Sequence, residues 1–220
     1  MKAMILAAGR GERMRPLTDF LPKPLLRVDD KPLIVYHIEK LAAAGFKEII
    51  INIAHLGYKI PETLGDGSAW NIKLTYSDEQ DEGALESAGG ILKALQHLGN
   101  KTFLVVNGDV FCDYNFDAHF DLGDKLAHLI LVPNPKHNPN GDFGLKESVV
   151  LNEEKLKYTF SGIGYYNPTL FNGLTVKTLA LAPILRKNIE QKNISGELFS
   201  GIWHDIGTPQ RLKEINENYN

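Results

Sequence analysis

The sequence holds one cysteine, Cys112, among 220 residues. A lone cysteine excludes an intrachain disulfide framework and agrees with a reducing compartment; with no His-Cys cluster beside it, Cys112 reads as a packing residue rather than a nucleophile. No apolar run approaches the roughly 18–20 residues of a membrane span, and Met1-Lys2 leads straight into a short strand pattern instead of a secretory leader. A cytoplasmic protein without a membrane partner is expected. Nor does charge of one sign dominate: 24 Lys and Arg stand against 27 Asp and Glu, a net −3. That balance argues against a nucleic-acid partner and favours small anionic ligands. It leaves oligomeric state open. With 43% apolar and 23% charged residues the composition suits a single globular domain over 1–220 with one sizeable core.

Two phosphate-binding patterns are missing as well. A Walker A loop requires Gly-Lys followed by Ser or Thr, which occurs nowhere; a dinucleotide fingerprint requires a third glycine where Met14 stands.

What is present is a loop built for phosphate by other means. The apolar run Ala3-Met4-Ile5-Leu6-Ala7-Ala8 enters Gly9-Arg10-Gly11-Glu12-Arg13-Met14-Arg15-Pro16-Leu17-Thr18, and Lys23 follows between Pro22 and Pro24. Glycines admit backbone N–H groups to a polyphosphate, arginines add bidentate donors, and the prolines stiffen the segment that presents the lysine.

The remaining pattern alternates strands and helices. Asp29-Asp30-Lys31-Pro32 reads as a turn and helix start, and Leu33, Ile34, His37, Ile38 and Leu41 recur at helical spacing, which makes His37 a core residue. The run 48–53 reads as a central strand, 56–64 as a short helix and 72–76 as a strand. An acidic loop over 77–84 precedes a helix at 91–95. Thr102-Phe103-Leu104-Val105-Val106 is a buried strand that ends in Asn107-Gly108-Asp109, the place where open α/β sheets put their ligands. Strands are expected at 126–132, 148–151 and 159–166, and helices at 183–192 and 210–219, the last capped by Thr208-Pro209.

The string G-x-G-x-R-x-x-P-L-T followed by P-K-P resembles the signature of the sugar-phosphate nucleotidyltransferases, and Trp203-His204-Asp205-Ile206-Gly207-Thr208-Pro209 is similar to that family's second metal motif. The resemblance implies an α/β fold, Rossmann-like and three-layered, with a central mixed, mostly parallel sheet. It implies a nucleotide-binding half over about 1–110 and a sugar-phosphate half over about 111–220. It also implies transfer of a nucleotidyl group from a nucleoside triphosphate to a sugar-1-phosphate with release of pyrophosphate. By this resemblance Arg13 and Lys23 are catalytic, and Ala8, Gly9, Gly11, Glu12, Arg13, Lys23, Glu79 and Gly83 bind the nucleotide. Asn107, Asp142 and Gly144 lie near the sugar phosphate, and Asp109 and Asp205 hold Mg²⁺. A hard cation of this kind needs only one or two protein carboxylates beside phosphate oxygens. Where many members carry Glu-Lys-Pro, this chain has Asn152-Glu153-Glu154-Lys155-Leu156-Lys157; Lys155 or Lys157 could stand in for that lysine, but the pattern favours a solvated charge run for both. Gly141-Asp142-Phe143 and the first loop are most similar to members that use UTP and N-acetylmuramate 1-phosphate in cell-wall recycling. The base loop Leu85-Glu86-Ser87-Ala88-Gly89-Gly90 departs from their L-E-T-G-G-G. Mannose-1-phosphate guanylyltransferases share the first loop, and a non-catalytic nucleotide-sugar-binding regulator is the reading from another class.

Overall fold

The computed structural model describes residues 1–218. In chain order its elements are β1 (Lys2–Leu6), β2 (Arg27–Val28), β3 (Lys31–Pro32), α1 (Leu33–Ala43), β4 (Glu48–Ile53), α2 (Lys59–Leu64), β5 (Lys73–Asp78), α3 (Glu86–Leu98), β6 (Phe103–Asn107) and β7 (Val110–Cys112). There follow β8 (Ala127–Val132), β9 (Phe143–Lys146), β10 (Val149–Leu151), β11 (Lys157–Tyr166), α4 (Leu181–Glu190), β12 (Ile194–Leu198), β13 (Trp203–Asp205) and α5 (Pro209–Asn218).

Nine strands form one mixed sheet in the order β5-β4-β1-β6-β11-β8-β12-β10-β9. The four strands of the first half are all parallel, as expected of runs buried on both faces. Beyond β6 the pairing is antiparallel except where β12 lies parallel to β8. Strand alternation divides the core. Ala3, Ile5, Ile49 and Ile51 face one side with Ile34, Ile38 and Leu41 of α1, whereas Met4 and Ile50 face the other with Ile91 of α3 and Leu185 of α4. Helices therefore cover both faces, giving three layers.

A third cluster sits at the ligand end. Met14, Leu26, Val28, Leu33, Phe111, Ile206 and Ile215 pack together and tie the first loop, β7 and α5 into one unit. Met14, the residue that breaks the dinucleotide pattern, is fully buried there.

Several boundaries differ from the sequence pattern for local reasons. Asp29 and Asp30, with left-handed φ (46° and 61°), make the turn of the small hairpin of β2 and β3, and α1 opens directly after Pro32. Leu56 has φ 52°, so α2 begins at Lys59. α3 starts five residues before the expected 91 because Leu85-Glu86 already turns into the helix. α4 spans Leu181–Glu190 rather than 183–192. The final helix begins at Pro209, and Tyr219 of the expected range lies outside the described residues. The strands β7, β9, β12 and β13 carry too few alternating apolar residues to be recognised without their partners.

Candidate functional site

A cleft of about 330 Å³ opens at the C-terminal ends of β1, β4 and β6. Its wall includes Ala8, Gly9, Gly11, Glu12 and Arg13 of the first loop, Lys23, Asn52, Glu79, and Asn107 and Asp109 after β6. Of the site residues anticipated from sequence, Gly83, Asp142, Gly144 and Asp205 are not among its lining residues.

The first loop is rigid for reasons its residues supply. Gly11 has φ 70°, and a side chain there would meet Thr18 Cγ2 at 3.0 Å, so glycine is required. Thr18 donates its hydroxyl to the Gly11 carbonyl at 2.8 Å. Arg10 donates to the Thr18 carbonyl at 2.9 Å and to Asp19 at 3.1 Å, while Arg15 pairs with Glu12 and Asp19. Two of the three arginines thus brace the loop itself, and Arg13 is the one on the cleft. A Cβ on Gly9 would project into open space, consistent with room left for a ligand against the backbone.

Opposite stands a loop held by a buried polar chain. The Ala7 N–H donates to Asn52 Oδ1 at 2.7 Å, Asn52 Nδ2 donates to Glu79 Oε1 at 2.7 Å, and the Leu85 N–H donates to Glu79 Oε2 at 2.9 Å. Burial raises the Glu79 carboxyl above its usual range, opposed by the hydrogen bonds from the Leu85 backbone and Asn52. Its carboxylate is consumed in joining β1, β4 and α3, so Glu79 borders the cleft as a brace. Gly90 passes so close that a Cβ would lie 2.7 Å from Glu79 Oε1, and one on Gly89 would lie 2.2 Å from the Lys177 carbonyl oxygen. Two N–H groups in the first turn of α3 are taken: Ala88 and Gly89 both donate to the Leu179 carbonyl. Ala84, Glu86 and Ser87 border the cleft, and Glu86 does so with φ 60°.

The fold brings the two aspartates onto adjacent backbone. β13 pairs with β7 so that Asp205 opposes Val110, and the Ile206 N–H donates to the Asp109 carbonyl at 2.8 Å. Both carboxylates have cationic partners. Lys23 Nζ lies 2.5 Å from Asp109 Oδ2, and Arg211 Nη1 lies 2.5 Å from Asp205 Oδ2. His137 Nε2 stands 3.0 Å from Asp205 Oδ1. Gly207 leaves space for this convergence, since a Cβ would sit 2.9 Å from Arg211 Nη1 and 3.5 Å from Arg13 Nη2.

On the far side, β11 carries a bulge between Phe160 and Ile163, and Gly162 at φ 79° brings its backbone against Asn107; a Cβ would lie 2.5 Å from Asn107 Nδ2. Asp142 is a brace instead, accepting from the Phe160 N–H at 2.8 Å and from Asn138 at 3.2 Å. Gly144 lies in β9 under Glu154. Lys157 pairs with Glu153 at 2.9 Å, and Lys155 is exposed. Asn52, His137 and Arg211 were not marked by the sequence motifs; the position of Arg211 three residues after Thr208, whose hydroxyl accepts from its N–H at 3.4 Å, was the available signal.

This fold and this site define a class. The profile of the nucleotidyl transferase family matches residues 2–220, and the chain belongs to that family. It is 52% identical, over 97% of its length and 96% of the relative's, to the N-acetylmuramate alpha-1-phosphate uridylyltransferase of Neisseria meningitidis serogroup B. It is 32% identical to a mannose-1-phosphate guanyltransferase of Hypocrea jecorina, of which it spans 62%. Among solved structures, a putative glucose-1-phosphate thymidylyltransferase from Bacillus anthracis superposes with a TM-score of 0.86 at 24% identity, covering 99% of this chain and 94% of that one, which shows a shared fold.

Proposed function

We propose that this chain transfers a uridylyl group from UTP to N-acetylmuramate 1-phosphate, releasing pyrophosphate and forming a nucleotide sugar for cell-wall recycling in the cytoplasm. The observation that carries the substrate pair is the 52% identity to the Neisseria enzyme over nearly the full length of both chains. The chemistry rests on Arg13, Lys23 and Asp109 lining the cleft, with Asp205 beside Gly207 at its edge. Residues 1–110 supply the nucleotide wall and the remainder the acceptor side of one domain.

The acceptor's phosphate oxygen is already an anion, so attack on the α-phosphorus needs no general base. The difficulty is to bring two anions together and to stabilise the charge that accumulates. Lys23, held between two prolines, and Arg13 oppose that charge, and Gly9 and Gly11 let phosphate approach the backbone. The donor set fits Mg²⁺: among the described residues no group of three or more His, Cys, Asp or Glu could hold a metal by itself, but Asp109 and Asp205, brought to adjacent backbone by the pairing of β13 with β7, suit an ion that takes its other oxygens from phosphate and water. When bound there, Mg²⁺ supplies charge neutralisation and alignment of the reacting phosphates.

Pyrophosphate release tests this. Each nucleoside triphosphate is offered with N-acetylmuramate 1-phosphate, glucose 1-phosphate or mannose 1-phosphate, with and without Mg²⁺, and with Asp109→Ala as control. The expected result is Mg²⁺-dependent release with UTP and the muramate sugar. Release only from GTP with mannose 1-phosphate overturns the substrate assignment; nucleotide binding without release from any pair moves the chain to the regulator class.

A further inference from the structure

Each carboxylate oxygen of Asp205 already has a side-chain partner. Arg211 occupies Oδ2 at 2.5 Å and His137 stands 3.0 Å from Oδ1, while the neighbouring Asp109 carries Lys23 on one of its two oxygens. Direct ligation of Mg²⁺ or Mn²⁺ requires an oxygen lone pair at about 2.1 Å from the ion, and a guanidinium on that oxygen competes for it sterically and by charge. The carboxylate pair and its two permanent cations, Lys23 and Arg211, already balance, so a divalent ion gains little by entering alone. A triphosphate changes that balance, because it brings anionic oxygens that can take over both the ion and the displaced cations.

Resting on Asp109 and Asp205 as metal ligands, we propose that Arg211 and His137 are the resident partners of Asp205 and are displaced when the metal loads. Two consequences follow from where they sit. Arg211 Nη1 and Arg13 Nη2 both lie over Gly207, at 2.9 Å and 3.5 Å from where a Cβ would stand, so a released Arg211 is left beside Arg13 at the edge of the cleft. His137 belongs to the loop 133–141, whose base is fixed by Asn134 donating to the Lys157 carbonyl at 2.9 Å and by Asn138 donating to Thr159 Oγ1 at 3.1 Å. Its contact with Asp205 ties the acceptor-side loop to the metal carboxylate. Metal entry breaks that tie and opens the loop for the sugar phosphate. Arg211 is thus a positioning residue that delays metal binding until nucleotide arrives.

The test is Mn²⁺ binding to the nucleotide-free chain, followed by the paramagnetic signal of free Mn²⁺, together with amide hydrogen exchange over 133–141. Arg211→Met is expected to bind Mn²⁺ about five-fold more tightly than the wild type, the scale of losing one competing ion pair. In the wild type, saturating Mn²⁺ raises exchange over 133–141; in His137→Ala, on an exposed loop and expected to fold normally, exchange is already high and Mn²⁺ leaves it unchanged. Unchanged or weaker Mn²⁺ binding in Arg211→Met, or loop exchange in the wild type that ignores Mn²⁺, overturns the proposal. Asp205→Asn separates the two levels: if it abolishes Mn²⁺ binding while Arg211→Met changes nothing, this inference fails alone, and if it binds Mn²⁺ like the wild type, Asp205 is not a ligand and the metal reading fails with it.

Discussion

Lys23 lies 2.5 Å from Asp109 on a short helical turn begun by Pro22 and fixed by Pro24, so its ammonium has one narrow range of positions. Under the proposed mechanism, in which the Lys23 charge acts on the reacting phosphates, Lys23→Met should lower turnover by about 10²-fold or more while leaving the unfolding transition nearly unmoved; steady-state kinetics beside a melting curve checks both halves. Glu79 illustrates the opposite case. Both of its oxygens accept, and Asn52 is oriented by the Ala7 N–H so that its amide nitrogen faces Glu79. Glu79→Gln would set two amide nitrogens against each other in a dry site, and denaturant unfolding should show a loss of about 1–3 kcal/mol. His37 gives a pH signature. Burial pushes its pKa from 6.5 down to about 4, so the folded chain keeps it neutral where the unfolded chain protonates it. That contribution is fully present above pH 6.5 and is lost as pH falls to about 4, up to roughly 3 kcal/mol. In His37→Leu, stability measured across this window should fall less steeply with acid than in the wild type.

At the scale of elements, the start of α3 is the tightest junction near the cleft. The segment 177–179 lies across it: Leu179 accepts from Ala88 and Gly89 and donates to Leu85. Gly89→Ala would drive a methyl into the Lys177 backbone, which cannot yield without breaking those bonds. A loss of about 2–3 kcal/mol is expected in chemical denaturation, with faster amide exchange at Ala88 and Gly89; an unchanged midpoint would contradict the close approach. The adjacent pair Gly89-Gly90 was readable as a helix brought close to something, but the partner of Gly89, Lys177, 88 residues further along in the chain, was not. In the same way α1 was legible from its apolar spacing and Asp29-Asp30 as a turn before it, whereas the hairpin that this turn closes was not, because two-residue strands carry no pattern of their own.

For the whole molecule, the nine-stranded sheet runs without a break from β5 to β9, crossing from one half to the other where β11 pairs with β6. The two halves should therefore unfold together. Trp70 lies in the first and Trp203 in the second. Single-tryptophan variants that retain one or the other should give denaturation midpoints that coincide with each other and with far-ultraviolet circular dichroism, whereas separate midpoints would divide the chain into independent domains. The sequence by itself determined the strand-loop-lysine segment, the helical face of α1 and the central strands, because those depend on local spacing and residue chemistry. Only the tertiary structure decided which of Arg10, Arg13 and Arg15 borders the cleft, that Glu79 and Asp142 are braces, and that Arg211 and His137 meet on Asp205. Those outcomes depend on hydrogen-bond partners between strands far apart in the chain, and no periodicity along a chain encodes the partner of a polar side chain.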